Sequence, residues 1–241
     1  MYDTYIFDLY GTLIDIHTDE ESPEAWERLA FHYRYGGVEI GAEELRREFG
    51  EEVRRQLDAP RIACEHPEFV MAETFEAIAR RGGMSPAEGW AEETMRWFRV
   101  LTVRKLRLYP GVEETLRKLR AAGKRTYLLS NGQKTFIEME LRALGIDGLF
   151  DGIAISSEAG VAKPDPLFYA YLRETYGADL SSAVMIGNDH RTDVEGARRA
   201  GIDACYIHSN CSPDAGEADV DCRFKIWDGD FGSVARLLLR A

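Results

Sequence analysis

"IFDLYGTLID", residues 6–15, decides the fold reading. An apolar run, Tyr5-Ile6-Phe7, leads into Asp8, and a Gly-Thr turn follows at Gly11 and Thr12. This is the pattern of a buried strand that delivers one carboxylate to a tight turn at its end. Short apolar runs at 125–130 (RTYLLS), 152–156 (GIAIS) and 183–187 (AVMIG) join residues 4–8 as expected strands, each bounded by turn formers. Two more are expected at 203–207 and 223–227.

Helix-period segments separate the later strands. They close at Gly123, Gly145, Gly177 and Gly201, and Pro110 and Pro166 mark two of their starts. Strand then helix, repeated, predicts a parallel sheet covered on both faces, with right-handed crossovers. The first strand breaks the rhythm, because its next core partner lies more than a hundred residues away. Polar, helix-period sequence fills the interval, in four stretches at 22–37, 41–57, 67–83 and 85–101. The expected fold is α/β: a doubly wound parallel-sheet core, residues 1–15 and 103–241, carrying an inserted all-helical domain, residues 16–102. Hinges are expected near 15–21 and 102–108. Trp26, Phe31, Tyr35, Trp90 and Trp97 fall at helical spacings and are read as packing of the insertion.

Ligands of an open parallel sheet bind beyond the carboxyl ends of its strands. Those ends are polar here: Asp8; Ser130 and Asn131; Glu158 and Lys163; Asn188, Asp189 and Asp193. Alone, Asp8 reads as a turn former, Lys163 as a loop lysine and Asp193 as a helix-start acid. Four successive strand ends together make one acid-rich cluster with a lysine. Mg2+ is the hard, oxygen-seeking cation that would compensate such a charge density.

The set "DLYGTL", "LLSNG", "VAKPDP" and "GNDHRTD" resembles the haloacid dehalogenase superfamily of hydrolases, from residue 3 to about 207, with the insertion in the place of the family's first-type cap. The resemblance implies a Rossmann-like core and assigns Asp8 as a nucleophile that forms a covalent aspartyl intermediate. Thr12 and Ser130 are implied around the transferred group, with the amide of Asn131 nearby, and Lys163 steadies the charge. Asp8, the backbone carbonyl of Tyr10, Asp189 and Asp193 are implied as the metal side. Aligned on the Gly187 turn, Asn188 takes the direct ligand position instead. Asp189 is preferred as a charged ligand, with Asn188 assisting.

Tyr10 departs from the pattern. Phosphatases of the superfamily usually carry an aspartate there as general acid, and a phenol with a pKa near 10 is a poor base at neutral pH. The same D-x-Y-G-T sequence is shown by 2-haloacid dehalogenases, whose halide leaves unprotonated. The reading is a Mg2+-dependent phosphohydrolase of a small phosphorylated metabolite, because paired acids without a cation would burden a nucleophilic carboxylate. Its rivals are a 2-haloacid dehalogenase-type hydrolase and a weakly active or non-catalytic ligand-binding relative. No cap arginine matches the dehalogenases' substrate-carboxylate arginine; Arg34, Arg46 and Arg47 are candidates only by charge. His17, near the hinge, is a further candidate.

Composition bounds the partners. With 42 acids against 30 Lys and Arg the net charge is −12, which disfavours a nucleic-acid backbone. No apolar stretch approaches the ~20 residues of a membrane span, and no signal-like segment opens the chain, so a cytoplasmic protein with a small-molecule substrate is expected. Cys64, Cys205, Cys211 and Cys222 lack paired CxxC spacing and read as free thiols. The sequence sets no oligomeric state.

Overall fold

The structure, a computed structural model, describes residues 2–239. The outer ends of the expected core, residue 1 and residues 240–241, lie outside the described residues. In chain order the elements are β1 (Thr4–Phe7), β2 (Ile14–Thr18), α1 (Pro23–Tyr35), α2 (Ala42–Asp58), α3 (Met71–Arg81), α4 (Trp90–Thr102), β3 (Val103–Leu108), α5 (Val112–Ala121), β4 (Arg125–Ser130), α6 (Lys134–Ala143), β5 (Gly152–Ile155), α7 (Ser156–Ala159), α8 (Pro166–Tyr176), β6 (Ala183–Gly187), α9 (Glu195–Ala200), β7 (Asp203–Ile207), β8 (Phe224–Ile226) and α10 (Gly232–Leu238).

Six strands form one parallel sheet in the order β5-β4-β1-β6-β7-β8. β1 is central, and the connections reverse direction on either side of it, which opens a crevice at its carboxyl end. The burial of β1 follows the pleat. Tyr5 and Phe7 enter the core beneath α5, α6 and α10, while Ile6 enters the opposite core with Phe168 and Leu172 of α8. Each such side chain, fully withdrawn from water, contributes about 1.5–3 kcal/mol.

The four helices α1–α4 surround a third core, which includes Trp26, Leu29, Phe75, Met95 and Phe98. Phe136 of α6 is buried in that same cluster, so a helix of the sheet domain donates one side chain to the insertion. Trp26 is buried and Trp90 half-buried, as their spacing predicts; Phe31, Tyr35 and Trp97 point outward instead, exposed by 49%, 82% and 55%. Those rings lie on the solvent-facing sides of α1 and α4, and helical spacing alone does not reveal which face is covered.

The chain enters and leaves the insertion through an antiparallel ribbon of β2 and β3, with Asp15 opposite Arg107 and His17 opposite Lys105. Asp15 is buried and receives Lys105, Arg107 and the amide of Asn210. Burial opposes its ionisation, but these hydrogen bonds outweigh it and hold the carboxyl at about 2. Among the described residues no helix is long and apolar enough to cross a membrane. Cys64, Cys205, Cys211 and Cys222 are free thiols.

Candidate active site

Asp8 leaves β1 as the chain turns. The N–H groups of Leu13 and Ile14 both return to the carbonyl of Leu9, closing a tight loop over residues 9–14. Gly11 has φ +82°, and a Cβ there would lie 2.4 Å from Asn188 Nδ2. Only glycine satisfies both constraints, and the result brings the fourth strand-end loop against the first.

Lys163 is wholly buried between two acids, with Nζ 2.6 Å from Asp8 Oδ1 and 2.7 Å from Asp193 Oδ1. Burial disfavours its charge, but Asp193 and Asp8 outweigh that and raise its pKa above the usual value. Burial pushes the Asp193 carboxyl upward even against the pull of Lys163. The cluster therefore sets two carboxyl groups against one ammonium. The missing side chain of Gly187 makes room for this arrangement, since a Cβ there would lie 2.2 Å from the Asp193 carboxyl.

The Thr12 hydroxyl lies 3.0 Å from Asp8 Oδ2 and 3.1 Å from Asn188 Oδ1. One hydroxyl proton therefore serves two oxygens. Ser130, at the end of β4, is fully buried, and its hydroxyl has no partner among the described residues. Register places it beside Leu9, because Leu128 pairs with Phe7. The Asn131 side chain is tied to the Lys163 backbone in both directions: Oδ1 accepts from its N–H at 2.8 Å, and Nδ2 donates to its carbonyl at 3.1 Å. It therefore fixes the loop that carries the lysine.

Asp189 and Asn188 are placed differently in the fourth strand-end loop, with Asp189 paired to Arg191. The Asp189 carboxylate caps its own turn by accepting from the Arg191 N–H at 2.8 Å and pairs with the Arg191 guanidinium. Asn188 is the buried residue that faces Asp8 through Thr12. Asp193 is committed to Lys163 through one oxygen and to the Asp189 N–H through the other. Among the described residues no three His, Cys, Asp or Glu side chains converge at a metal-binding distance. A cation here would depend on Asp8, Asn188 and the Tyr10 carbonyl. The two electron-rich oxygens that share one proton, and the two carboxyl groups served by one ammonium, fit such a cation.

Tyr10 turns away from acid–base work. Its hydroxyl donates to Glu140 Oε2 at 2.6 Å, and burial, followed by the Glu140 charge, holds the phenol well above its usual 10. His17 is exposed on β2 and is not brought into the cluster. Arg34 is exposed over the Phe31 ring, Arg46 pairs with Glu21, and Arg47 lies beside Glu44 and Glu51.

Three residues outside the expected set hold the insertion against this site. Asp165, whose side chain caps α8 at the Leu167 N–H, also accepts from the N–H of Glu65 at 2.9 Å. Gln133 accepts from the Met71 N–H at 2.9 Å and donates to the Phe69 carbonyl at 3.0 Å. Arg99 joins α4 to Glu140 of α6 at 2.6 Å. Arg99 and Glu140 had a signal in the sequence, since each is a charged residue spaced with apolar neighbours on a buried helical face.

The sequence profile of haloacid dehalogenase-like hydrolases matches residues 2–201. The chain belongs to that family. It is an α/β hydrolase with an inserted helical domain, and its relatives divide between two chemistries. Phosphoserine phosphatase of Thermus thermophilus is 33% identical over 120 residues, 50% of this chain and 48% of that one, so the match spans about half the phosphatase. Haloacetate dehalogenase H-2 of Moraxella is 29% identical over 206 residues, 84% of each chain. The solved structure of 2-haloacid dehalogenase from Pseudomonas syringae superposes with a TM-score of 0.70, covering 100% of this chain and 99% of that one at 22% identity, a likeness of fold.

Proposed function

We propose that this hydrolase is a Mg2+-dependent phosphohydrolase of a small phosphorylated metabolite, with Asp8 as nucleophile. The observation that carries the reading is the buried Asp8–Lys163–Asp193 cluster, in which two carboxyl groups share one ammonium, beside two oxygens that share the Thr12 proton. A phosphate ester arriving at this acid-rich cluster is better accommodated with Mg2+ than without it. Asp8, the Tyr10 carbonyl and Asn188 would hold the ion, which when bound offsets charge on the nucleophile and on the phosphoryl oxygens. Asp189 and Asp193 support the loop and the lysine.

In this mechanism Asp8 Oδ2 attacks phosphorus, the P–O bond to the alcohol breaks, and an aspartyl phosphate forms on Asp8. Lys163 aims Asp8 and offsets the charge that gathers around it. Ser130, whose buried hydroxyl has no partner among the described residues, donates to a phosphoryl oxygen. Water then attacks the aspartyl phosphate, releasing phosphate and restoring Asp8. Tyr10 supplies no proton, so esters with good leaving groups turn over fastest. Residues 16–102 act as a cap hinged at the β2–β3 ribbon, which closes over the strand ends and excludes water.

A second reading has its own support. The unionised, Glu140-bound Tyr10 suits a halide that leaves without a proton, and Moraxella haloacetate dehalogenase H-2 matches across 84% of the chain, insertion included. One experiment separates the two. Phosphate release from an activated aryl ester that requires Mg2+ and is abolished by Asp8→Asn supports the phosphohydrolase. Metal-independent turnover of 2-chloropropionate, with no phosphate release across a metabolite panel, supports the dehalogenase. Saturable metabolite binding with no chemistry, little altered by Asp8→Asn, marks a binding protein.

A further inference from the structure

Arg99 occupies the last turn of α4 yet is only 7% exposed. Its guanidinium makes three different attachments. Nε donates to Glu140 Oε1 at 2.6 Å, Nη1 to Glu20 Oε1 at 3.1 Å, and Nη2 to the Tyr10 hydroxyl at 3.4 Å. The plane also lies against two rings, 4.6 Å from the Phe136 centroid and 5.7 Å from that of Tyr10. Tyr10 closes the ring of contacts by donating to the second Glu140 oxygen at 2.6 Å. One side chain thus joins the insertion's last helix, a helix of the sheet domain, the connection after β2, and the turn that carries Asp8.

We propose that Arg99 is a positioning residue for the reaction at Asp8: with Glu140 it holds the Tyr10 hydroxyl and so fixes the nucleophile turn in one orientation relative to the insertion. Three features favour this over its alternatives. Each of the three guanidinium nitrogens already donates to Glu140, Glu20 or Tyr10, which commits the fork to protein groups. Glu140 is 4% exposed, so the pair is buried and hydrogen-bonded at both ends, a geometry that specifies one arrangement. Tyr10 is two residues from Asp8 and two from Thr12, inside a loop closed by the Leu9 carbonyl, so a displaced Tyr10 moves both reacting groups together. The role rests on Asp8 as nucleophile.

The test uses the full chain with Arg99→Lys, Tyr10→Phe and the double variant. Lysine keeps the charge and cannot span three partners; phenylalanine keeps the ring and drops the hydroxyl. Hydrogen–deuterium exchange of the 8–14 amides should quicken about tenfold in Arg99→Lys, while the strands of the sheet keep their protection. On the substrate class that turns over, each single variant should lower kcat about tenfold with KM within about twofold, and the double should be no slower than the slower single. Unchanged exchange at 8–14, or multiplying losses in the double, overturns the proposal. So does an unchanged kcat in Arg99→Lys and Tyr10→Phe when Asp8→Asn is dead, and that result leaves the nucleophile reading intact. Full turnover by Asp8→Asn instead removes the nucleophile reading and the positioning role together.

Discussion

Lys163 Nζ lies 2.6 Å from Asp8 Oδ1, and the same ammonium holds Asp193 at 2.7 Å, so one cation serves two buried carboxylates. The Asp8 carboxyl is therefore aimed by a protein cation before any substrate arrives. Lysine suits the position because its compact head reaches both oxygens from a buried stem.

Removing that head should be severe in two separable ways. Lys163→Met leaves Asp8 and Asp193 facing each other without a cation, and breaking a buried pair in this way costs about 3–5 kcal/mol. Adding Asp193→Asn to Lys163→Met should restore much of the melting temperature and none of the turnover. Thermal unfolding and kcat on the same preparations measure both. Equal melting temperatures for the single and double variants would show that the loss has another source.

The fourth strand-end loop makes an opposite pair of predictions. Asn188 faces Asp8 through Thr12, whereas Asp189 is spent on Arg191. Asn188→Ala should raise the Mg2+ concentration needed for half-maximal phosphate release by more than about tenfold, the scale on which lost ligand-sphere groups act. Asp189→Asn should change it less than about threefold and cost less than about 1 kcal/mol of stability, because asparagine caps a turn about as well as aspartate and the lost ion pair is exposed. Metal titrations in which Asp189→Asn has the larger effect would return the ligand role to Asp189.

The contrast between Asn188 and Asp189 shows where the sequence is legible and where it is not. Asp8, Lys163 and Asp193 fall together because each follows a strand whose apolar run is unmistakable, and the order of the sheet does the rest. Asn188 and Asp189 are adjacent, and which one faces inward depends on a backbone turn that side-chain chemistry does not report. The hinge ribbon left a signal: "IDIHT" and, within β3, "KLRL" alternate with period two, a pattern easily passed over beside long helical stretches. Tyr10 is the deeper case. Its partners Glu140 and Arg99 are 130 and 89 residues away, so their meeting is a product of the fold.

Gly11 offers a test of close approach against backbone strain. Gly11→Ala faces φ +82° and a contact of 2.4 Å with Asn188 Nδ2, whereas Gly145→Ala faces φ +70° with nothing within 4 Å of the new methyl. Both pay the left-handed backbone cost of about 1–2 kcal/mol. Only Gly11→Ala should also displace the Asp8 turn, lowering kcat about a hundredfold, while Gly145→Ala keeps wild-type kcat. Comparable kcat values for the two variants would mean that the Gly11–Asn188 contact does not control the nucleophile.

Asp15 links the hinge to pH. Its carboxyl is held at about 2 against an ordinary 3.8 by Lys105, Arg107 and Asn210, which overcome the opposing effect of burial. A depressed carboxyl stabilises the fold above its unfolded pKa, and that contribution is lost as pH falls through the folded value. The shift alone corresponds to about 2 kcal/mol. Lys105 and Arg107 are 40% and 70% exposed, so solvent screening reduces the expected contribution to about 1 kcal/mol. Asp15→Asn should therefore unfold in less urea than the wild type at pH 7, with the gap narrowing below about pH 4 and closing near pH 2. A gap that stays constant from pH 7 to pH 2.5 would place the contribution of Asp15 in packing of the ribbon and not in its charge.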